Sequence, residues 1–144
     1  MMRPQDILVL LELALRPDGT TWRFHDLAQA LGMSQSEIHA SIKRSTEAKL
    51  YDPLTRRPKT AALIEFLVHG LKYAFPAGIG TEVRGMPTAH SAPPLATMIV
   101  AEERDKYVWP TELGKARGFA LEPLYRCVPR AAAENPALDR KSVV

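Results

Sequence analysis

The stretch YAFPAGIGTEVRG, Tyr73 to Gly85, returns 34 residues later as YVWPTELGKARG, Tyr107 to Gly118. Each copy reads Tyr-x-(Phe/Trp)-Pro, then three residues to a Gly, then Arg-Gly after two or three more. No other feature limits the fold of the second half as much. Tyr-x-(Phe/Trp) alternates like a half-buried strand with both rings on one face, Pro76 or Pro110 ends the ladder, and Gly80 or Gly114 permits a turn with positive φ. The segments after the turns, EVRGMP and KARGFALEPLY, then return as partner strands, with Arg84-Gly85 and Arg117-Gly118 at equivalent points. A lone hairpin is marginal in water. Two copies sharing a face therefore predict a four-stranded antiparallel sheet with approximate internal twofold symmetry.

The first seventy residues follow a different rule. After Pro4, Ile7, Leu8, Leu11 and Leu15 recur at helical spacing until Arg16-Pro17-Asp18-Gly19 stops the run. FHDLAQALG puts Phe24, Leu27, Ala28 and Leu31 on one face of a second, short helix that Gly32 closes. Ser34 and Glu37 then have capping-box spacing, so a third helix begins near Gln35. Its apolar positions Ile38, Ile42 and Ala48 are sparse, which predicts that Gln35, Ser36, His39, Ala40, Lys43 and Arg44 point outward. Short hydrogen-bonding and cationic side chains on an exposed helix suit a DNA groove.

The net charge of +3 says little, but its distribution says more. Between Lys43 and Lys59, six cations (Lys43, Arg44, Lys49, Arg56, Arg57, Lys59) face two acids, Glu47 and Asp52. Such a patch favours phosphates, because neutralising them releases counterions. A further helix, TAALIEFLVH, has Ala62, Leu63, Phe66 and Leu67 on one stripe and is expected to end at Gly70.

The segment DLAQALGMSQSEIHASIKRSTEAKLY resembles the helix-turn-helix of winged-helix transcriptional regulators of the MarR-like kind, over residues 5 to 60. The resemblance implies that the helix matching residues 35 to 49 enters the major groove and that a basic hairpin, the wing, touches phosphates. By position, Gln35, Ser36, His39, Lys43 and Arg44 would be groove or phosphate residues, and Arg56, Arg57 and Lys59 would lie at the wing. This chain has Ser45 where the family usually has Leu, and Lys49 where it usually has a helix-ending Gly. The residues before the next helix leave room for a truncated wing or a bare basic loop. In general layout, the chain also resembles antitoxins of type IV toxin–antitoxin systems, which repress their own operon and in some versions pair with a nucleotidyltransferase-like toxin.

The expected fold class is α+β, with a winged helix-turn-helix head and connecting helix at residues 1–70. A duplicated β-hairpin unit follows at 71–128, and a helix and tail at 129–144. The expected function is a cytoplasmic DNA-binding transcriptional regulator, a repressor, acting as a homodimer on double-stranded DNA, with the second half serving dimerisation or sensing. The alternatives are an autoregulating antitoxin with a toxin partner and a protein-binding head. In the second half Arg84, Trp109 and Arg117 are candidate ligand or partner residues. An Arg at the same place in both copies can stack on a ring or hold a carboxylate in a bidentate pair. A small acidic or aromatic molecule held by Tyr107, Trp109 and the two arginines is the ligand-gated version of this reading.

Catalysis is not expected, and neither a cofactor nor a metal. His25, His39, His69 and His90 lack metal-ligand spacing, no glycine-rich phosphate loop follows a strand, and no carboxylate pair stands out. PTAHSAPPL carries His90 and Ser91 without an acid nearby or a Gly-x-Ser-x-Gly elbow. One cysteine, Cys127, excludes an internal disulfide and fits a reducing cytoplasm. No window approaches the roughly 18 apolar residues of a membrane span, and no secretory leader opens the chain, so no membrane partner is expected.

Overall fold

A computed structural model of the protein describes residues 1–17, 21–76, 78–88, 107–110, 116–121 and 123–134. It is mixed helix and strand and divides into two units, Met1–Phe75 and Pro76–Val144.

The first unit is built around α1 (Pro4–Leu15). Ile7, Leu8, Val9, Leu10, Leu11 and Leu13 are all buried, so the helix is apolar nearly all round and takes the centre of the core. Trp22, Leu27, Leu31, Met33, Ile38, Leu50, Tyr51 and Leu63 complete that core. Two acids of α1, Asp6 and Glu12, are buried with it, and each meets an arginine, Asp6 with Arg44 at 2.8 Å and Glu12 with Arg16 at 3.5 Å. Burying a carboxylate without such a partner would be costly.

Gly32, in the left-handed region at φ 66°, ends α2 (Phe24–Leu31). The expected capping box opens α3 (Gln35–Glu47): Ser34 Oγ accepts the Glu37 N–H at 3.2 Å and Glu37 Oε2 accepts the Ser34 N–H at 2.8 Å. At the other end of α3, the Lys49 N–H donates to the Thr46 carbonyl at 3.1 Å and the Leu50 N–H to the Ser45 carbonyl at 3.0 Å. This is the Schellman pattern, with Lys49 at φ 65° where glycine is the easier occupant. The helix therefore exits as a Gly-capped helix would, even though the residue is a lysine.

A short hairpin follows, β1 (Tyr51–Asp52) and β2 (Arg57–Pro58), antiparallel with Tyr51 opposite Pro58 and Asp52 opposite Arg57. Asp52 Oδ1 accepts the Leu54 N–H at 2.9 Å, a local bond that starts the turn. Next come α4 (Thr60–Glu65), a π-helical turn (Phe66–Gly70) and α5 (Leu71–Ala74), continuous with one another. The helix thus runs through Gly70 instead of stopping there. Gly70 has no Cβ, and one built on it would lie 3.0 Å from the Phe66 ring, so its bareness lets that ring lie close. The division between units falls at Phe75/Pro76, beyond the expected 70/71 boundary.

In the second unit the expected pair of hairpins is replaced by another arrangement. Tyr73 and Ala74 belong to α5, and Phe75 follows it with its ring edge-on to Phe66 at 6.4 Å, so the first Tyr-x-Phe is not a strand. The return segment of that copy is β3 (Ile79–Thr88), and both segments of the second copy are strands, β4 (Tyr107–Pro110) and β5 (Ala116–Leu121). β3 pairs antiparallel with β4 and with β5, which makes β4 and β5 parallel to one another, and their pairing closes the sheet. Gly80 lies inside β3 against Ala120, 3.4 Å from its Cβ position, and does not take positive φ. Gly114 lies outside the described residues. One part of the expected symmetry survives in the register: Arg84 and Arg117 are Cα partners across β3 and β5. Val108, Trp109, Val128 and Ala131 are buried in this unit, the last two on α6 (Val128–Glu134).

Candidate nucleic-acid interface

α3 has two very different edges. Gln35, Ser36, His39 and Lys43 are exposed, as the sparse apolar pattern predicts. Arg44 is turned into the seam with α1. Its Nε donates to Asp6 Oδ2 at 2.9 Å and an Nη to Asp6 Oδ1 at 2.8 Å, a bidentate pair that fixes the guanidinium. Ser41 Oγ donates to the same carboxylate, and the Arg3 backbone N–H reaches its other oxygen at 2.8 Å. The hydrogen bonds that Arg44 donates to Asp6 hold it above the ordinary guanidinium pKa, against the opposing pull of burial. Arg44 is thus a fold residue, and its expected outward position is corrected. The cause is Asp6, an acid 38 positions away that helical spacing could not connect to it.

The three basic residues expected at the wing also divide. Arg57 donates from Nη2 to the Arg16 carbonyl at 2.9 Å, placing a cation at the C-terminal end of α1. Arg56, at φ 56°, lies with Cζ 4.3 Å from the Trp22 ring centroid and donates to the Trp22 carbonyl at 3.2 Å. The Trp22 indole N–H returns a bond to the Arg56 carbonyl at 3.0 Å. Lys59 is exposed at the start of α4, and its backbone N–H bonds the Leu50 carbonyl at 2.8 Å. Burial pushes the Tyr51 phenol pKa up, while nearby Arg56 opposes the rise.

A ladder of rings joins these parts. Arg56 covers Trp22, Trp22 meets Phe24 edge-on at 5.1 Å, and Phe24 stacks on His39 at 3.6 Å with planes 15° apart. The ladder links the hairpin turn, the start of α2 and the exposed edge of α3 into one surface. Helical spacing assigns Phe24 to the inner face of α2, but it is half-buried and carries His39 instead. Helical spacing does not single out Trp22. The available signal was a Trp followed two residues on by Phe, just ahead of a helix start, since a rigid aromatic pair there can brace whatever packs above it.

In the second unit Trp109 is 3% exposed and opposite Met86 in register, so it is a core residue. Arg84 is exposed. Its register with Arg117 brings the two candidate arginines together in the backbone, and Trp109 lies on the other strand pairing of β3. His90 and Ser91 lie outside the described residues.

Among the described residues no group of three His, Cys, Asp or Glu side chains gathers as metal ligands would. No described helix is long and apolar enough to cross a membrane. No protein-family model, curated protein or solved structure matches the chain.

Proposed function

We propose that the first unit is the DNA-binding head of a transcriptional regulator, with the outer edge of α3 in the major groove and the hairpin against the backbone. The observation that carries this reading is the ladder from Arg56 through Trp22 and Phe24 to His39. It braces one face on which Gln35, Ser36 and Lys43 stay exposed. Gln and Ser side chains suit base edges and phosphates, and Lys43, Arg56 and Lys59 supply the positive charge that phosphates attract. Arg44 and Arg57, half-buried and held by Asp6 and the Arg16 carbonyl, are left out of the proposed interface, whereas Arg56 stays exposed over Trp22.

The test is fluorescence anisotropy on the DNA upstream of the gene, against scrambled DNA, across a salt series. A regulator keeps a preference of about a hundredfold or more for its own promoter near physiological salt. Replacing Lys43 and Lys59 with Ala lowers the salt slope by about 2, because each lysine neutralises one phosphate. Equal binding to both DNAs with an unchanged slope rejects the proposal.

One observation favours a second reading, a head that binds protein. Leu54, in the hairpin turn, is 93% exposed, and an apolar side chain gains nothing from a phosphate. Under that reading Leu54→Ser abolishes capture of the partner, an operon-encoded toxin in the antitoxin version, and leaves DNA affinity as it was.

A further inference from the structure

We infer that the continuous helix from Thr60 to Ala74 is a twofold, antiparallel contact surface for a second copy of the chain. Along α4, the π turn and α5, Leu63 is the one buried residue. The opposite side carries Ile64 at 54% exposure, Val68 at 51% and Tyr73 at 77%, interleaved with exposed Glu65, His69 and Lys72. Three large apolar side chains along one helix, with polar neighbours, make a surface that gains by being covered.

The π turn explains how they line up. Ile64 and Tyr73 are nine residues apart, about two and a half turns of regular α-helix, which would set them on opposite sides. An i→i+5 turn takes in one extra residue, and exposure accordingly recurs every four positions in two neighbouring rows, Ile64, Val68 and Lys72 beside Ala61, Glu65, His69 and Tyr73, which puts Ile64 and Tyr73 on one face. Phe66 lies over the bare Gly70 and meets Phe75 edge-on, so the turn is braced by its own rings on the other side.

The exposed residues are self-complementary. An antiparallel axis passing between Val68 and His69 puts Glu65 opposite Lys72 of the second copy, Ile64 opposite its Tyr73, and Val68 opposite its His69. The π turn, Phe66–Gly70, is centred on Val68, next to this axis. A parallel pairing would instead set Glu65 on Glu65 and Lys72 on Lys72, which repel. An isologous interface requires a patch that matches itself after a half-turn, and this one does. Glu65 has no ion-pair partner among the described residues, and the Lys72 ammonium lies 5.1 Å from the Tyr73 ring, on the same surface.

The inference does not rest on DNA binding, and its test uses none. Sedimentation equilibrium of the full chain is expected to show a monomer–dimer equilibrium. Lys72→Glu alone and Glu65→Lys alone each turn two attractive pairs into repulsive ones and weaken the dimer about tenfold or more. The double exchange, Glu65→Lys with Lys72→Glu, restores the dimer. All four proteins are expected to keep the same thermal midpoint in circular dichroism at a concentration where each is monomeric, which separates assembly from folding. A wild-type chain that stays monomeric at tens of micromolar overturns the inference. So does a dimer indifferent to the single exchanges, or a double exchange that fails to restore it.

Discussion

On the inner edge of α3, Ser41 and Arg44 are tied to Asp6 and Ser45 is sealed in the core, whereas on the outer edge Gln35, Ser36, His39 and Lys43 face solvent. Lys43 and Arg44 are adjacent cations about 100° apart around the helix, and that rotation separates a residue of the fold from a candidate for function. The contrast teaches that a basic run cannot be read as a patch until the buried acids are found. Here one acid, Asp6, removes Arg44 from the surface charge.

The largest effect expected from this comparison is on stability. Arg44→Ala leaves a fully buried carboxylate without its guanidinium and should cost about 3–5 kcal/mol in urea denaturation. Lys43→Ala, one position away, should stay within about 0.5 kcal/mol. Similar losses for the two would erase the distinction between the edges.

The inner edge also holds a correctable defect. Ser45 Oγ is buried and finds no hydrogen-bond partner among the described residues, whereas the neighbouring Thr46 hydroxyl donates to the Ile42 carbonyl at 2.8 Å. Ser45→Ala is expected to raise stability by about 1 kcal/mol, because it removes the unmet hydroxyl at almost no loss of volume. A loss of stability would mean that the hydroxyl is bonded after all. At the helix exit, Lys49→Gly should stabilise by a similar or slightly smaller amount, since Lys49 holds a left-handed conformation that costs an L-residue about 1 kcal/mol. The chemical-denaturation midpoint checks both.

The smallest effect lies just past α3. Burial raises the Tyr51 pKa above its ordinary value of 10.0, so the unfolded phenol ionises first. The stability linked to Tyr51 is therefore full below pH 10.0 and is lost as pH rises through the higher folded value. Tyr51→Phe should flatten the alkaline limb of a stability–pH profile. An unchanged limb would place the alkaline loss elsewhere.

Local signals carried most of what the sequence made legible. The Ser34/Glu37 capping box, Gly32 and the spacing of α1 to α3 each act over a few residues, and each produced the expected element. The exposure of Gln35, Ser36, His39 and Lys43 followed from the same spacing. Interactions across the chain were not legible. The Asp6–Arg44 pair spans 38 positions and Trp22–Arg56 spans 34, and no periodicity encodes either. In the second unit, two similar segments took different structures. Tyr73 and Ala74 continue a helix already formed from Thr60, while Tyr107 to Pro110 pairs with β3. Strand pairing depends on which partner is near, so the repeat foretold strands at its two return segments, which lie in β3 and β5, but neither a turn at Gly80 nor the strands' neighbours.

The central claim, that the outer edge of α3 and the hairpin form one DNA-binding face, is tested most directly by mapping. Isotope-labelled protein would be titrated with a short duplex from its own upstream region while backbone amide shifts are followed. The account predicts shifts concentrated at residues 34–43 and 53–59, together with the Trp22 indole signal. Shifts confined to the second unit, or none at saturating duplex, would contradict it.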